Sequence, residues 1–380
     1  HFSEDQDGNV LICDDGGGIF QLERAPKVEH KPFPQKLSET GLFVSTKENK
    51  PHPGLIPYSV NSPLWSDGAG KERFIALPGG ERIDYKPSNG WDFPNGSVLV
   101  KTFSLGDKRI ETRLLAKQAN DWHGYTYIWD EGQNDAMLVG SGGMDRDYVV
   151  NDKKQTWHYP SRAECLVCHS RAANFVLGLN ELQMNKGDQL YRLEEFGVFK
   201  VDWMGPTKEA VKKDAMKKGL KEDKAGEFAD SVCPAAGQRT AVESTLLNKR
   251  PESLTKMVDP YDASADLNKR ARSYLHANCS ICHVEAGGGN AKIDLSYSIP
   301  ESKMSLFDEK PVHHTFGIEG AKLVANGEPE KSVLLKRVSM RGEGQMPQLA
   351  TSVVDEKAVQ MLREWIKSRK ARETQRAEGN

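Results

Sequence analysis

Tyr274–Gly289 reads "YLHANCSICHVEAGGG" and places Cys279, Cys282 and His283 within five residues. Far upstream, "ECLVCHSRAANF" from Glu164 repeats the order with Cys165, Cys168 and His169. Three chemistries use a C-x-x-C pair. A redox dithiol belongs at a strand–helix junction of a βαβ unit, and neither segment has that context. A zinc site could pool the four thiolates, but its two knuckles would lie far apart in the chain and the histidines would have no required place. Covalent haem attachment accounts for every position: the thiols add to the porphyrin vinyl groups and the adjoining His binds iron. With 10 histidines in 380 residues, a His after both pairs by chance is roughly a one-in-a-thousand event, so the doublet is specific.

An iron held by one His takes a second axial partner or keeps an open site. For the second unit that partner is Met346, in "GEGQMPQLATSVVDEKAVQMLREWI", on a loop before a terminal helix. A thioether opposite His favours the reduced iron and raises its potential. The plainer role for Met346 is filling a gap in the core. The first unit has no matching segment. Met184, in "LGLNELQMNKG", is the leading candidate, followed by His158, His123, His313 and His314. Each of these also reads as an ordinary core or surface residue. An open first iron would point to peroxide or small-ligand chemistry instead.

Around these motifs the composition is that of a globular chain, 37% hydrophobic and 28% charged with net charge −2. No basic excess suggests nucleic-acid binding, and no apolar run is long enough to predict a membrane span. The opening "HFSEDQDGNVLICDD" has neither a basic n-region nor an apolar h-region. A first residue of His favours a mature or truncated chain over one that is never exported. Cys13 and Cys233 stand outside the two units. In an oxidising compartment they could form a disulfide, and otherwise they are two unrelated buried thiols. "SEDQDGN" weakly resembles a calcium loop, although Asp14 would be a poor terminal ligand, and a turn is the simpler reading.

The pattern predicts an α+β chain. Residues 1–25 read as a β-hairpin. Residues 26–160 read as an antiparallel β domain of sandwich type, with strands in "GSVLVKTF", "KRIETRLL" and "GYTYIWDE". Residues 161–258 are mostly helical and bear the first C-x-x-C-H unit. Their lysine-rich part, 207–230, reads as a solvated helix. Residues 259–380 form a helical unit. One helix there has a cap-like Ser264 and a stripe of Leu267, Ala271, Tyr274 and Leu275. The last helix buries Ala358, Leu362, Trp365 and Ile366.

On "YLHANCSICH", "LVANGEPEKSVLLKRV" and "GQMPQLA", the stretch Asp259–Arg369 resembles a class I cytochrome c domain. The resemblance implies that Cys279 and Cys282 carry haem, with His283 proximal and Met346 distal. The segment Lys292–Leu323 is longer than a minimal domain of this kind needs and has no assigned role. Nearly the whole chain is similar to the haem-protein region that follows glucose/sorbosone-dehydrogenase propellers in bacterial fusions. "PFPQKLSETGLF", "PYSVNSPLWSDGAGKERFIALP", "WDFPNGSVLVKTF" and "YPSRAECLVCH" carry that similarity, and "DQDGNVLICDDGGGIFQLERA" resembles the last propeller strands. The expectation is a periplasmic or secreted di-haem c-type cytochrome with two covalent haem c groups. It would transfer single electrons, with a quinoprotein dehydrogenase implied as donor. A di-haem peroxidase-like enzyme and a zinc-stabilised binding module remain the alternatives.

Overall fold

The computed structural model describes residues 1–13, 17–24, 32–86, 90–200, 208–232, 251–285 and 287–377. The chain is 26% helix and 24% strand, and its paired strands are antiparallel, as the α+β pattern predicts. It divides into two compact units, His1–Gln35 and Lys36–Asn380.

The first unit adds a strand to the expected hairpin. β1 (Phe2–Glu4), β2 (Val10–Cys13) and β3 (Ile19–Gln21) pair in that order. Between β1 and β2 the Asp5 carboxylate accepts hydrogen bonds from the Asp7 and Asn9 amides at 2.9 and 2.8 Å. Its acidity therefore serves a turn, and the Asn9 side chain holds its pKa below the usual carboxylate value. Cys13 is described and Cys233 is not, so the expected disulfide lies outside the described residues.

In the second unit β4 (Phe43–Ser45) and β5 (Lys50–Pro51) form a small hairpin. A six-stranded meander follows: β6 (Ile56–Pro57), β7 (Gly70–Ala76), β8 (Val98–Leu105), β9 (Lys108–Gln118), β10 (Asp121–Trp129) and β11 (Ala136–Leu138). β9 and β10 join through Ala119–Asn120, both at positive φ, the two-residue turn whose twist matches that of the strands. The expected sandwich is not formed. Its second layer is only the hairpin β12 (Met144–Val150) with β13 (Lys153–Tyr159), which packs Trp157 and Tyr159 against Phe103 and Ile110. Helices close the rest, because the sheet's other apolar residues, Ile75, Leu99, Leu115 and Trp122, share a core with Leu179, Met184, Leu190 and Leu193, to which Tyr85, Trp91 and Phe93 of the β7–β8 connection also belong.

Those covering residues come from α2 (Glu181–Met184), α3 (Gln189–Glu195) and the loop that follows α1 (Arg162–Cys168). The lysine-rich stretch folds as two helices, α4 (Lys208–Lys217) and α5 (Glu222–Val232). They bury Val211, Ala215, Ala225 and Ala229 and leave their charges in solvent.

The C-terminal part packs α6 (Leu267–Cys279), α7 (Val333–Val338) and α8 (Glu356–Ala377) around Tyr274, Leu275, Leu335, Leu362 and Trp365. The expected stripes are on the buried faces. The cap of α6 differs: Asp266 accepts from the Lys269 amide at 2.9 Å, while Ser264 instead bonds Asp262. The long segment Lys292–Leu323 completes this core with Leu295, Met304 and Leu306. Arg272 ties it down by donating to the Ser296, Tyr297 and Ile299 carbonyls at 2.9, 3.0 and 2.6 Å. No helix among the described residues is long and apolar enough to cross a membrane.

Candidate functional site

The first C-x-x-C-H unit lies on α1, which starts at a capping box. The Ser161 hydroxyl accepts from the Glu164 amide at 3.1 Å, and the Glu164 carboxylate accepts from the Ser161 amide at 2.8 Å. One helical turn then puts Cys165 and Cys168 on the same side. The helix can sit this close to β10 only because of Gly124. A Cβ there would come within 2.8 Å of both Cβ and Sγ of Cys165. His169 ends the helix. The chain then turns through Asn174 and Phe175, both at positive φ, so that the Phe175 carbonyl returns 2.6 Å from His169 Nδ1. That contact places the ring proton on Nδ1 and leaves the Nε2 lone pair available, the arrangement a metal-ligating imidazole needs. Burial, aided by Lys101, pushes the His169 pKa down to about 4, so the ring is neutral. Burial also raises the pKa values of both thiols.

Cys165, Cys168 and His169 line a cavity of about 580 Å³. The same cavity is lined by His276, Ala277, Ser280 and Ile281, from the end of α6 and the start of the second unit. The two units, distant in sequence, thus come together. Cys282 is close enough to Cys168 for its charge to bear on the Cys168 thiol. The four thiols do not gather into one cluster: among the described residues no three His, Cys, Asp or Glu side chains are placed to hold a metal ion.

The sheet side of the cavity carries residues that sequence reasoning missed. Arg73 on β7, Lys101 on β8 and Arg113 on β9 are consecutive cross-strand partners, and all three line the cavity with Lys71. Like charges in register repel. Glu111, fully buried, pairs with Arg113 at 2.5 and 2.9 Å and accepts from Trp157 Nε1 at 2.8 Å. Lys71 has only a carbonyl acceptor, that of Leu64 at 2.5 Å. Lys101 Nζ has no hydrogen bond or ion pair among the described residues; it lies 6.0 Å from the centre of the Phe103 ring, and Glu111 acts on it through its charge alone. Burial first, then Arg73 and Arg113, pull the Lys101 pKa down to about 7. The available signal was a lone Lys inside "VLVKTFSL", since lysine is rarely buried without a partner.

The other candidates for the first unit fall elsewhere. Met184 is fully buried in the apolar core, its Sδ 3.7 Å from Gln189 Nε2, rather than on the cavity wall. His158 borders the cavity, but its Nδ1 lies 2.6 Å from Asp145 and its Nε2 3.1 Å from Glu164. These carboxylates raise its pKa against the effect of burial. His123, His313 and His314 are exposed.

The second unit closes α6. The His283 amide donates to the Cys279 carbonyl at 3.0 Å, and the Gly289 amide to the Cys282 carbonyl at 2.9 Å. Gly289 is required here, because a Cβ would sit 2.8 Å from His283 Nδ1 and 2.7 Å from the Cys282 carbonyl. Burial lowers the His283 pKa, while the Ala291 carbonyl faces Nδ1 without meeting hydrogen-bond geometry. Burial pushes Cys279 up to about 12.

Met346, half-buried, lies on a loop held from two sides. Its amide donates to the Arg337 carbonyl at 3.0 Å, and Arg337 Nη1 donates to the Gly344 carbonyl at 2.8 Å. Further along the loop, the Asp67 carboxylate from the sheet region accepts from Thr351 Oγ1, Ser352 Oγ and the amides of Ser352 and Val353, at 2.7–3.0 Å. Comparison with protein-family models, curated proteins and solved structures finds no match to this chain.

Proposed function

We propose that the chain is a di-haem c-type cytochrome that passes single electrons between partners. The observation that carries this reading is that both C-x-x-C-H units border one cavity, the second through Ser280 and Ile281, with a half-buried, neutral imidazole in each. Cys165 and Cys168 would hold one haem and Cys279 and Cys282 the other, through thioether bonds. His169 and His283 would be the proximal ligands and Met346 the distal ligand of the second. A bound haem supplies one-electron oxidation and reduction, with the potential set by ligand identity and burial.

The chain's own residues do the rest. The Phe175 carbonyl fixes the His169 tautomer. Lys71 and Arg73, which have no carboxylate partner among the described residues, supply the positive charge that a propionate-bearing edge requires. Asp67 and Arg337 position the Met346 loop. The apolar aromatics behind the sheet keep water from that side. Thioether attachment takes place outside the cytoplasm, which fits a periplasmic or secreted protein. The donor we propose is a quinoprotein dehydrogenase.

The test is a potentiometric titration of the mature chain followed by absorbance. Two one-electron transitions are expected, and a haem-loaded chain with no reversible transition would contradict electron transfer. A second reading, a di-haem peroxidase-like enzyme, is favoured by one observation: no methionine among the described residues lines the cavity of the first unit. Turnover with hydrogen peroxide would establish it.

A further inference from the structure

Resting on the haem reading of the first C-x-x-C-H unit, we propose that the Lys101 side chain supplies the second axial ligand of that haem, opposite His169. Of the histidine and lysine side chains on the cavity wall other than His169, all but one hold a hydrogen-bond or ion-pair partner among the described residues. His158 has both ring nitrogens on carboxylates. His276 Nδ1 accepts from the Tyr297 amide at 3.1 Å, so its ring proton sits on Nε2 and no lone pair is left to offer. Lys71 Nζ donates to the Leu64 carbonyl, and Lys86 is paired with Asp92. Lys101 alone among them has no hydrogen bond or ion pair among the described residues, and Glu111, the counter-ion of Arg113, acts on it only through its charge.

Its register explains why it is the residue able to ligate. Lys101 lies between Arg73 and Arg113 on adjacent strands. Guanidiniums do not give up a proton in proteins, whereas a lysine does so readily when desolvated. Coordination releases the ammonium proton to water and commits the nitrogen lone pair to iron, with nothing oxidised or reduced. The bond would satisfy a half-buried group that has no hydrogen-bond partner among the described residues and remove one of three stacked charges. A strand residue at the centre of a six-stranded sheet is also held rigidly, as a fixed axial ligand must be.

The experiment uses the mature chain carrying its haems. Haem content is measured first by pyridine haemochrome, then the ferric protein is examined by electron paramagnetic resonance and near-infrared magnetic circular dichroism. In the wild type both haems are expected to be low-spin, one with a nitrogen-ligand and one with a thioether charge-transfer band. Lys101→Ala, and Lys101→Gln as the variant that keeps the side-chain volume, should each retain two haems and convert one of the two to high-spin. Added imidazole should return that haem to low-spin, and Lys108→Gln on the exposed hairpin should change nothing. A high-spin first haem in the wild type, or a low-spin one in both Lys101 variants, overturns the ligand assignment. A wild-type chain without haem on the first unit overturns the haem reading itself.

Discussion

Replacing Glu111 by Gln is expected to be among the most damaging single changes in the sheet. Glu111 is fully buried, and its carboxylate accepts two bonds from Arg113 and one from Trp157 Nε1. It is the direct counter-ion in a wall that also holds Lys71, Arg73 and Lys101. The amide is nearly the same size, so packing is preserved and the loss is electrostatic. One amide oxygen replaces two charged acceptors, and Arg113 is left uncompensated beside its cross-strand partner Lys101, with Arg73 one strand beyond. Breaking a buried ion pair by removing one partner costs about 3–5 kcal/mol, a large share of the roughly 5–15 kcal/mol that holds a domain folded. Urea unfolding followed by tryptophan fluorescence measures it: the midpoint should fall with the slope unchanged. Glu131→Gln, which breaks the exposed pair with Arg146, should shift the midpoint little. If Glu111→Gln costs under about 1 kcal/mol, the range of a surface pair, the buried cationic wall does not depend on Glu111 and the electrostatic reasoning fails.

Three further outcomes follow from the same geometry. Gly124→Ala should push α1 off the sheet, because its Cβ would meet Cys165 at 2.8 Å, and haem content should fall from two per chain to one. Asp67→Ala should free Thr351, Ser352 and Val353, weaken the seating of Met346 and lower the thioether-to-iron absorbance, with His283 ligation retained. The His158 pKa is raised in the fold by Asp145 and Glu164, so its contribution to stability is full below the imidazole's ordinary value of about 6.5 and is lost as pH rises through the folded value. Wild type and His158→Gln should therefore differ most in unfolding midpoint at acidic pH and converge at alkaline pH.

The local patterns were the legible part. Ala358, Leu362, Trp365 and Ile366 recur at helical spacing and are buried on α8. Strands were visible in "GSVLVKTF" and "KRIETRLL" because β-branched and alternating residues fit a pleated surface. The cap of α6 was misread by two residues, since Ser264 and Asp266 are both good caps and only the chain's path decides between them. The cationic wall was hidden for a different reason. Arg73, Lys101 and Arg113 become neighbours only through strand register, which depends on the turns between them. The shared cavity was hidden in the same way, because it depends on how α1 and α6 pack about the sheet. Met184 had suitable spacing and chemistry, yet the same apolar character placed it in the core.

The central claim is covalent haem on both C-x-x-C-H units. Intact-mass measurement of the mature chain, made in a host able to attach haem c, tests it directly. The mass should exceed that of the polypeptide by two haems. Cys165→Ala with Cys168→Ala should remove one, and Cys279→Ala with Cys282→Ala the other. A chain of unmodified mass that binds zinc tightly through these cysteines would contradict the claim.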